Sequence, residues 1–388
     1  MKPKVMLIEA CDFSSFPVGG HLSHTRQLVQ IFGERLALVG ISIDDTPVGV
    51  WTKKNVAGFT LDFFSLGRVT NLTQKPLIPR RLTAFLRLKY FKRQILSLGI
   101  NAAYVVAPEV MIAVSNWGLR VAYKFSGIEN PLTMARYPFA TLLAAPFEKR
   151  LFSSLAKHAE IVFAAADKKA IEALVRRSNA TLDSSQIVPL PTSVDSETFH
   201  VSPIALPGPD CSKPVFISCG RLNRVKGWDL ILDAFQKVQK DLPSAQLYFV
   251  GDGEDRSLLE KQVADTGLND SVVVTGFVIP TEVAGLLNRS HVFLLGSHRE
   301  GWPTAMVEAL TCGLPVVATN VSGVNDLVEE KRNGYVVKTR DADEFAAKMV
   351  AALDLPRPNL VSLEIAKQYA LTNIKKELEL RWAPFCGD

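Results

Sequence analysis

The sequence predicts an α/β protein with two doubly wound parallel sheets. Short apolar runs rich in β-branched and aromatic residues alternate with amphipathic stretches, which is the pattern of parallel strands joined by helices. The alternation occurs twice, before and after a segment at 188–213 that is rich in Pro, Ser and Asp. The length of 388 residues also predicts two domains, each of roughly 150–200 residues.

The composition is typical of a globular protein, with 47% hydrophobic and 21% charged residues. The formal net charge of +5 is too small to indicate a nucleic-acid partner. The five cysteines are scattered and lack CxxC spacing, which favours reduced thiols over disulfides or zinc ligands. No stretch approaches the ~20 apolar residues of a membrane span, and the apolar run at 5–10 is too short for a signal peptide. We therefore expect a cytoplasmic protein.

The first predicted strand, 5–9, is followed by two adjacent glycines, Gly19 and Gly20, and a helix at about 21–32. Adjacent glycines let a ligand approach the backbone closely, and a helix N-terminus favours an anion. This loop is a candidate binding segment, and His24 lies one turn into its helix. Many turns use two glycines without binding anything, and a lone histidine is more often a packing residue. Further strands are predicted at 35–41, 102–106, 121–125 and 161–164.

The segment 79–98 combines basic and apolar residues. Basic, aromatic-rich helices can lie on anionic membrane surfaces, which would make the protein peripheral on the cytoplasmic face of a membrane. The alternative is a helix that packs its apolar stripe on the sheet and exposes its charges to water. The cations are Arg80, Arg81, Arg87, Lys89, Lys92 and Arg93.

The second series has predicted strands at 214–218, 246–250, 272–275, 291–295, 315–319 and 335–337. Helices are predicted between them, and a last helical segment at 360–382 can cross back to the first domain. We therefore assign 1–205 to an N-terminal domain, 206–365 to a C-terminal domain, and 366–388 to a helix that returns to the first domain.

Loops of the second domain carry charges suited to a diphosphate. Arg221 offers a fork of donors that matches phosphate, and Lys226 supplies a mobile point charge. Pro303 is predicted at the first position of a helix, whose N-terminus favours an anion. Glu300 and Glu308 flank this N-terminus and are placed to accept hydrogen bonds from hydroxyls on either side of a phosphate. Alternatively, Glu300 caps the helix and Glu308 is a solvated residue.

Other catalytic signatures are missing. The sequence contains no GxxxxGK[ST], HExxH or GxSxG motif, and 251–253 lacks the third glycine of a dinucleotide site. Asp252, Glu254 and Asp255 are explained better by helix capping than by metal binding.

Together these residues resemble the family 4 nucleotide-sugar glycosyltransferases, which have the GT-B fold. The pattern is Gly220-Arg-Leu-(x)3-Lys-Gly227, then Gly251-Asp-Gly253, then Glu300-Gly-Trp-Pro-(x)4-Glu308. The spacing of the two glutamates is the most specific part. The segment 16–24 resembles the N-terminal loop of the family. The similarity is strong over 214–337 and looser over the first 200 residues.

The resemblance implies two Rossmann-like domains that face each other across a cleft, with the donor in the second and the acceptor in the first. It implies transfer with retention of anomeric configuration, without a cofactor or bound metal, from a nucleoside diphosphate-sugar to a saccharide or lipid-linked saccharide. Arg221 and Lys226 would hold the diphosphate, Glu308 the ribose, and Glu300 the transferred sugar. The expected catalytic residues are Glu300, Arg221 and Lys226, and the expected substrate-binding residues are Gly19, Gly20, His24, Lys124, Ser126, Gly220, Gly251, Gly253, Gly301, Trp302, Pro303, Thr304 and Glu308.

One stretch departs from the family's pattern. Many members carry a histidine after a central strand of the first domain, whereas here the stretch 123–127 reads Tyr-Lys-Phe-Ser-Gly. We expect Lys124 or Ser126 to replace it, unless the sugar is held differently. The alternatives are a sugar phosphorylase or nucleotide-sugar epimerase on the same fold, or a non-catalytic binding protein.

Overall fold

The computed structural model describes residues 3–16, 20–70, 79–125, 130, 132–133, 138–202 and 213–386. The chain divides into two compact units, Met1–Thr192 with Lys375–Asp388, and Ser193–Ile374. The boundaries expected from the sequence were 205/206 and 365/366. The last segment contacts the first unit, because Glu379 lies 3.7 Å from Arg35.

The first unit contains an eight-stranded sheet in the order β3-β4-β2-β1-β5-β6-β7-β8. All neighbouring strands are parallel except β3 and β4. The order reverses between β1 and β5, so the topological switch point lies there. The strands are β1 (Val5–Ile8), β2 (Leu36–Ser42), β3 (Trp51–Val56), β4 (Phe59–Arg68), β5 (Ala102–Val105), β6 (Arg120–Phe125), β7 (Ala159–Ala164) and β8 (Ile187–Pro189).

Helices cover this sheet, and β1 is buried along its whole length because parallel sheets are covered on both faces. The helices are α1 (Gly20–Phe32), α2 (Arg80–Tyr90), α3 (Lys92–Leu96), α4 (Pro108–Val114), α5 (Ala144–His158) and α6 (Lys168–Arg177). Short 3-10 stretches lie at Gly33–Arg35, Pro138–Leu143, Ser184–Gln186 and, in the second unit, Arg224–Lys226.

The antiparallel pair β3–β4 was missed in the sequence. Its turn residues Ala57 and Gly58 both have positive φ, 50° and 85°, as the tight turns of two-residue hairpins require. The usual sequence signal for such a turn is Asn-Gly or Asp-Gly, and Ala-Gly lacks it. The short edge strand β8 was also missed.

The second unit contains a six-stranded parallel sheet in the order β11-β10-β9-β12-β13-β14. Its switch point lies between β9 and β12. The strands are β9 (Val215–Cys219), β10 (Gln246–Val250), β11 (Val272–Gly276), β12 (Val292–Leu295), β13 (Val316–Thr319) and β14 (Gly334–Val337). The helices are α7 (Trp228–Asp241), α8 (Arg256–Asp265), α9 (Pro280–Asn288), α10 (Thr304–Thr311), α11 (Val324–Leu327), α12 (Ala342–Ala352), α13 (Leu360–Lys367) and α14 (Leu371–Cys386), of which α14 continues into the first unit.

The segment predicted to be helical, 360–382, forms two helices rather than one. It is interrupted between α13 and α14, where Val194 donates its N–H to Tyr369 O and accepts the N–H of Leu371. These bonds take backbone groups that a continuous helix would use internally. Among the described helices, none has both the length and the apolar character needed to cross a membrane.

Candidate functional site

Three loops meet at the carboxyl edge of the second sheet, after β9, β10 and β12. Leu222 donates its N–H to Asp252 O at 3.0 Å and accepts that of Asp255 at 3.1 Å, which joins the first two loops. His298 donates its N–H to Val225 O at 2.8 Å, which joins the first and third. The loops flank the switch point between β9 and β12, where open α/β sheets place ligands.

Glycines allow these loops to approach each other. Gly220 and Gly251 have φ values of 147° and 138°, and a Cβ on Gly251 would lie 2.0 Å from Gly220 O. A Cβ on Gly253 would lie 2.1 Å from Leu222 O. All three are predicted substrate-binding residues, and the neighbouring loop fills the space that a side chain on Gly251 or Gly253 would need.

A second close approach was not predicted. A Cβ on Gly227 would lie 1.8 Å from Gly296 O, so the β9 and β12 loops touch directly. This contact places the residues before Gly227 beside those after Gly296. The sequence offered one indication of this contact, because Gly296 follows directly after the predicted strand 291–295.

Lys226 and Glu300 form an ion pair where these loops meet. Lys226 Nζ donates to both carboxylate oxygens of Glu300, at 2.7 and 2.9 Å. Ser297 Oγ donates to Glu300 Oε1 at 2.6 Å. The Glu300 side chain is only 7% exposed, so these bonds fix it. The resemblance assigned Lys226 and Glu300 to different parts of the donor, and the contact between them was not foreseen.

Arg221 lies on the same edge and is held more loosely. Its side chain is 64% exposed and forms an ion pair with Glu254 at 3.0 Å. Exposed pairs of this kind contribute little stability, so Arg221 can exchange this partner for a ligand. Asp255 is the N-cap residue of α8, but its side chain makes no cap bond and accepts from Trp228 Nε1 instead, so the capping expectation was wrong there.

The turn that contains Gly301 leads into α10, which begins at Thr304. Pro303 is the N-cap residue, with φ −82° and ψ 72°, and not the first helical residue as predicted. Its side chain caps none of the first-turn N–H groups of α10. Glu300 does not cap the helix either, because Lys226 and Ser297 hold its carboxylate. Thr304 and Met306 donate their N–H groups to Trp302 O and Pro303 O, at 3.0 and 2.9 Å. Among the described residues, the N–H of Ala305 has no such bond, so the anion-binding capacity of the α10 N-terminus rests on this group and on the helix dipole.

Trp302 occupies the turn between Glu300 and α10. Its ring packs against Tyr369, with the centroids 5.1 Å apart, and a Cβ on Gly323 would lie 2.8 Å from it. Its buried Nε1 has no hydrogen-bond partner within the described part of the chain. Trp302 therefore packs beneath the turn, and Tyr369 is a supporting residue that the sequence did not indicate.

Glu308 lies on α10 and is only partly exposed. Burial raises the pKa of its carboxyl group to about 7. No described side chain donates a hydrogen bond to it, so burial is not offset by a partner. Burial also raises the pKa values of the free thiols of Cys219 and Cys312, and the Glu308 charge contributes to both shifts. The environment of Glu308 is thus unlike that of a solvated residue.

In the first unit, the structure brings His24 and Lys124 together. Lys124 Nζ lies 3.3 Å from His24 Nδ1, and His24 Nε2 lies 3.0 Å from the hydroxyl of Tyr104. All three side chains are buried, and burial lowers the pKa of Lys124 to about 7. Gly20 is the first residue of α1, whereas Gly19 and Ser126 lie outside the described residues. The partner Tyr104 was not predicted.

Within the described ranges, no group of three or more His, Cys, Asp or Glu side chains is placed to hold a metal ion.

Comparison with protein families identifies the second unit. Residues 207–369 match the model described as glycosyl transferases group 1. The chain carries a group 1 glycosyltransferase domain. Arg221, Lys226, Glu300 and Glu308 all lie in the group 1 domain, whereas the buried pair in the first unit lies outside the matched range.

Curated relatives match parts of the chain. An uncharacterized glycosyltransferase of Haemophilus influenzae is 36% identical over 141 residues, which are 36% of this chain and 38% of that protein. The putative colanic acid biosynthesis glycosyltransferase WcaL of Escherichia coli is 30% identical over 43% of this chain and 42% of its own length. The alpha-D-kanosaminyltransferase of Streptomyces kanamyceticus is 30% identical over 37% of this chain and 37% of its own. The matches thus span about two fifths of these relatives.

Solved structures match along the whole chain. Sucrose-phosphate synthase from Thermosynechococcus elongatus has a TM-score of 0.78 at 19% identity and covers 100% of both chains. HepE of Anabaena, in complex with UDP and glucose, has a TM-score of 0.75 at 16% identity over 98% of this chain and 100% of its own. The fold that carries the group 1 domain is therefore GT-B, with a Rossmann-like unit in each half, as the sequence predicted.

Proposed function

We propose that this chain is a retaining, metal-independent glycosyltransferase of family 4. It moves a sugar from a nucleoside diphosphate-sugar to a saccharide or lipid-linked saccharide on the cytoplasmic side of a membrane, in glycan or polysaccharide biosynthesis. The observation that carries the proposal is the Lys226–Glu300 pair at the switch point of the second sheet. Glu300 of this pair lies in the loop that leads into α10, whose N-cap residue makes no side-chain cap bond.

The donor is a nucleoside diphosphate-sugar because cationic groups and helix amides meet where the fold places ligands. Solved relatives with this fold include HepE in complex with UDP-glucose, and pneumococcal GtfA in complex with UDP and GlcNAc. A Lys ammonium has three donors, and Glu300 takes two of those of Lys226. The third reaches a phosphate oxygen without release of Glu300, and exposed Arg221 supplies a second cation.

Glu300 reads a hydroxyl of the transferred sugar. Its Oε1 accepts from both Lys226 and Ser297, whereas Oε2 accepts from Lys226 alone among the described residues. Oε2 therefore retains capacity for one more donor. Because Lys226 bonds to Glu300 and to the diphosphate, it sets the distance between the sugar and its leaving group. Glu308 receives the ribose hydroxyls at the other side of the phosphate site.

The transfer follows from these positions. The bond from the anomeric carbon to the diphosphate oxygen breaks, and the departing diphosphate gains negative charge beside Arg221, Lys226 and the α10 amides. Preorganised positive groups lower such a barrier by stabilising the charge as it develops. The acceptor oxygen bonds to the same face of the oxocarbenium-like sugar, and its proton passes to a phosphate oxygen. The products are a nucleoside diphosphate and a glycoside of unchanged anomeric configuration.

The acceptor binds to the first unit, near α1. Lys124 takes the place of the histidine that the family pattern has near the transferred sugar, and it lies against His24 on α1. The N-terminus of α1, which begins at Gly20, supplies amides to the substrate in the same way as that of α10.

The experiment measures sugar transfer and donor hydrolysis by the wild type and by Glu300→Gln, Arg221→Ala and Lys226→Ala, in buffer with and without EDTA. We expect each variant to lose about 10²–10³-fold in turnover, the loss typical of one removed transition-state stabiliser, and EDTA to have no effect. Lys237→Ala is the control, since Lys237 of α7 pairs with the exposed Asp343 of α12, away from the three loops. Undiminished activity in all three variants would overturn the proposed site.

The donor is found with a thermal-shift panel of UDP-, GDP- and ADP-sugars, with free phosphate as the comparison. A rise in Tm with one nucleotide series supports the transferase. A rise with phosphate and none with any nucleotide would instead indicate a phosphorylase. For the preferred donor, the anomeric configuration of the product, read by NMR, must equal that of the donor.

A further inference from the structure

The α2 helix of the first unit presents an apolar ridge to solvent. Leu82, Leu86 and Tyr90 are 47%, 54% and 76% exposed. They are spaced four residues apart and therefore form one continuous stripe along the helix. Scattered exposed apolar residues are ordinary, whereas a contiguous apolar stripe marks a contact surface. We refer to these three residues as the α2 ridge.

The ridge is not the face by which the helix packs. Ala84 and Leu88 of α2 and Ile95 of α3 are buried in the core of the first unit. Arg87 donates to Leu66 O at 2.8 Å, which further fixes the helix. The sequence left two interpretations of 79–98 open, packing on the sheet and contact with a membrane. The structure has a surface for each: one side of α2 packs on the sheet, and the opposite side exposes apolar residues as well as charges.

Two cations, Lys89 and Arg93, flank the ridge. Lys89 is exposed and follows Leu86 by three residues on α2, which places it beside the stripe. Arg93 is exposed on α3, which begins two residues after the end of α2. Neither forms an ion pair within the described part of the chain, and Lys89 lies over the ring of Phe85 at 4.5 Å. The segment 79–98 contains six Lys and Arg and no Asp or Glu. A solvent-exposed helix usually mixes charges of both signs, and this one does not.

Exposed apolar residues directly before α5 extend the same side of the first unit. The helices α2, α4 and α5 contribute to one core cluster, so they cover one face of the sheet. Arg81 near the start of α2 pairs with Glu109 near the start of α4 at 3.2 Å, and α4 begins directly after β5. The starts of both helices therefore lie at the carboxyl edge of the sheet.

The start of α5 lies at the same edge. α5 ends directly before β7, so it runs antiparallel to that strand. Its 15 residues span about 22 Å, comparable to the roughly 20 Å of a six-residue strand. Exposed Leu142 and Leu143 end the 3-10 stretch directly before α5, and Lys149 and Arg150 are exposed about two turns later. Exposed apolar side chains and cations therefore occur again near the carboxyl edge of the first sheet.

From this arrangement we infer that the α2 ridge, with Lys89 and Arg93, docks the chain on a membrane surface that carries anionic lipids. Apolar side chains at such an interface enter the boundary between headgroups and acyl chains, and Lys and Arg bind the headgroup phosphates. The carboxyl edge of the first sheet then lies close to the lipid. A lipid-linked acceptor reaches this edge without leaving the membrane. The docking surface itself does not depend on the transfer reaction.

The test is cosedimentation of the chain with vesicles of 70% phosphatidylcholine and 30% phosphatidylglycerol, and with vesicles of phosphatidylcholine alone. The wild type is expected to bind the first and not the second, and added salt is expected to weaken binding because it screens the charges. Lys89→Gln with Arg93→Gln is expected to weaken partitioning about 25-fold, at about fivefold for each cation. Leu86→Ser with Tyr90→Ser is expected to weaken it comparably.

Matched controls come from the second unit. Lys240→Gln with Lys261→Gln removes the same charge from exposed positions, and Leu258→Ser with Leu360→Ser removes exposed apolar surface. Both are expected to bind as the wild type does. Equal binding to both kinds of vesicle, or unchanged binding by the α2 variants, would overturn the inference. A lipid-free dimer that the Leu86→Ser, Tyr90→Ser variant dissociates would also overturn it, since a second copy of the chain would then cover the ridge.

Discussion

Lys226 donates to both carboxylate oxygens of Glu300, at 2.7 and 2.9 Å, across 74 residues of sequence. The carboxylate is nearly buried and the ammonium is half-exposed. The pair therefore links the loop after β9 to the loop after β12. Such a pair can stabilise the fold, and it can also position a substrate. Measurements of stability and of activity separate these two roles.

The first prediction separates these roles. Lys226→Met leaves the Glu300 carboxylate buried with Ser297 as its remaining described partner, and we expect the free energy of unfolding to fall by about 1.5–3 kcal/mol. Glu300→Gln leaves Lys226 free to reach water, so the free energy of unfolding should fall less in this variant than in Lys226→Met. Urea unfolding measures both. In the control, Lys237→Met breaks the exposed pair with Asp343 and should cost no more than about 1 kcal/mol. Equal effects at Lys226 and Lys237 would contradict the structural role.

The second prediction concerns the contact between Gly220 and Gly251. A methyl group on Gly251 would lie 2.0 Å from Gly220 O, in a backbone conformation with φ 138°. Gly251→Ala must therefore push the β9 and β10 loops apart, and we expect both a lower Tm and weaker nucleotide binding. Gly267→Ala is the matched control, since Gly267 also has a positive φ, 72°, but has open space beside it. It should lose about 1–2 kcal/mol through backbone strain alone and bind nucleotide normally.

The third prediction follows from the raised pKa of Glu308, about 7 against an ordinary 4.5. Between these values the folded chain holds a proton that the unfolded chain has lost, so this group makes stability fall as pH rises from about 4.5 to 7. Glu308→Gln cannot titrate. Relative to this variant, the free energy of unfolding of the wild type should fall by up to about 1.4 kcal/mol per pH unit between pH 4.5 and 7.

Denaturant unfolding at several pH values measures the difference. Glu282→Gln, which alters an exposed residue of α9, should show no comparable pH-dependent difference. A flat difference between the wild type and Glu308→Gln would indicate that water reaches the carboxyl group freely.

The fourth prediction has the opposite sign. Burial lowers the pKa of Lys124 from 10.5 to about 7. Between these values the unfolded chain binds a proton that the folded chain does not, so stability rises with pH across this window. Lys124→Met removes the titrating group. Between pH 7.5 and 9.5, the free energy of unfolding of the wild type should therefore rise relative to that of Lys124→Met, as urea unfolding at several pH values measures. His24→Gln retains Lys124 and tests whether the imidazole alone produces the effect. If the free energy of unfolding of the wild type does not rise relative to that of Lys124→Met, Lys124 stays charged in the folded chain.

The fold could be predicted further than the site. The strand at Gln246–Val250 lies where the sequence places it, because an apolar run between turn residues determines a buried strand locally. The contact of Lys226 with Glu300 could not be predicted, since it depends on β12 pairing with β9 and on the contact of Gly227 with Gly296. Sequence spacing determines neither. The β3–β4 hairpin was missed because Ala57 adopts a positive φ that its residue type does not indicate.

The last prediction concerns the weakly held Arg221. Its ion pair with Glu254 is exposed, so Arg221→Ala should change the free energy of unfolding by no more than about 1 kcal/mol. Its effect on the reaction should be much larger, about 10²-fold in kcat/KM, because the guanidinium acts on the charge of the leaving diphosphate. Glu254→Gln gives a result of opposite sign. It frees Arg221 from a competing carboxylate, so calorimetric titration with the nucleoside diphosphate should show tighter binding. Weaker binding by Glu254→Gln would mean that the ion pair orients Arg221 for the ligand and does not compete with it.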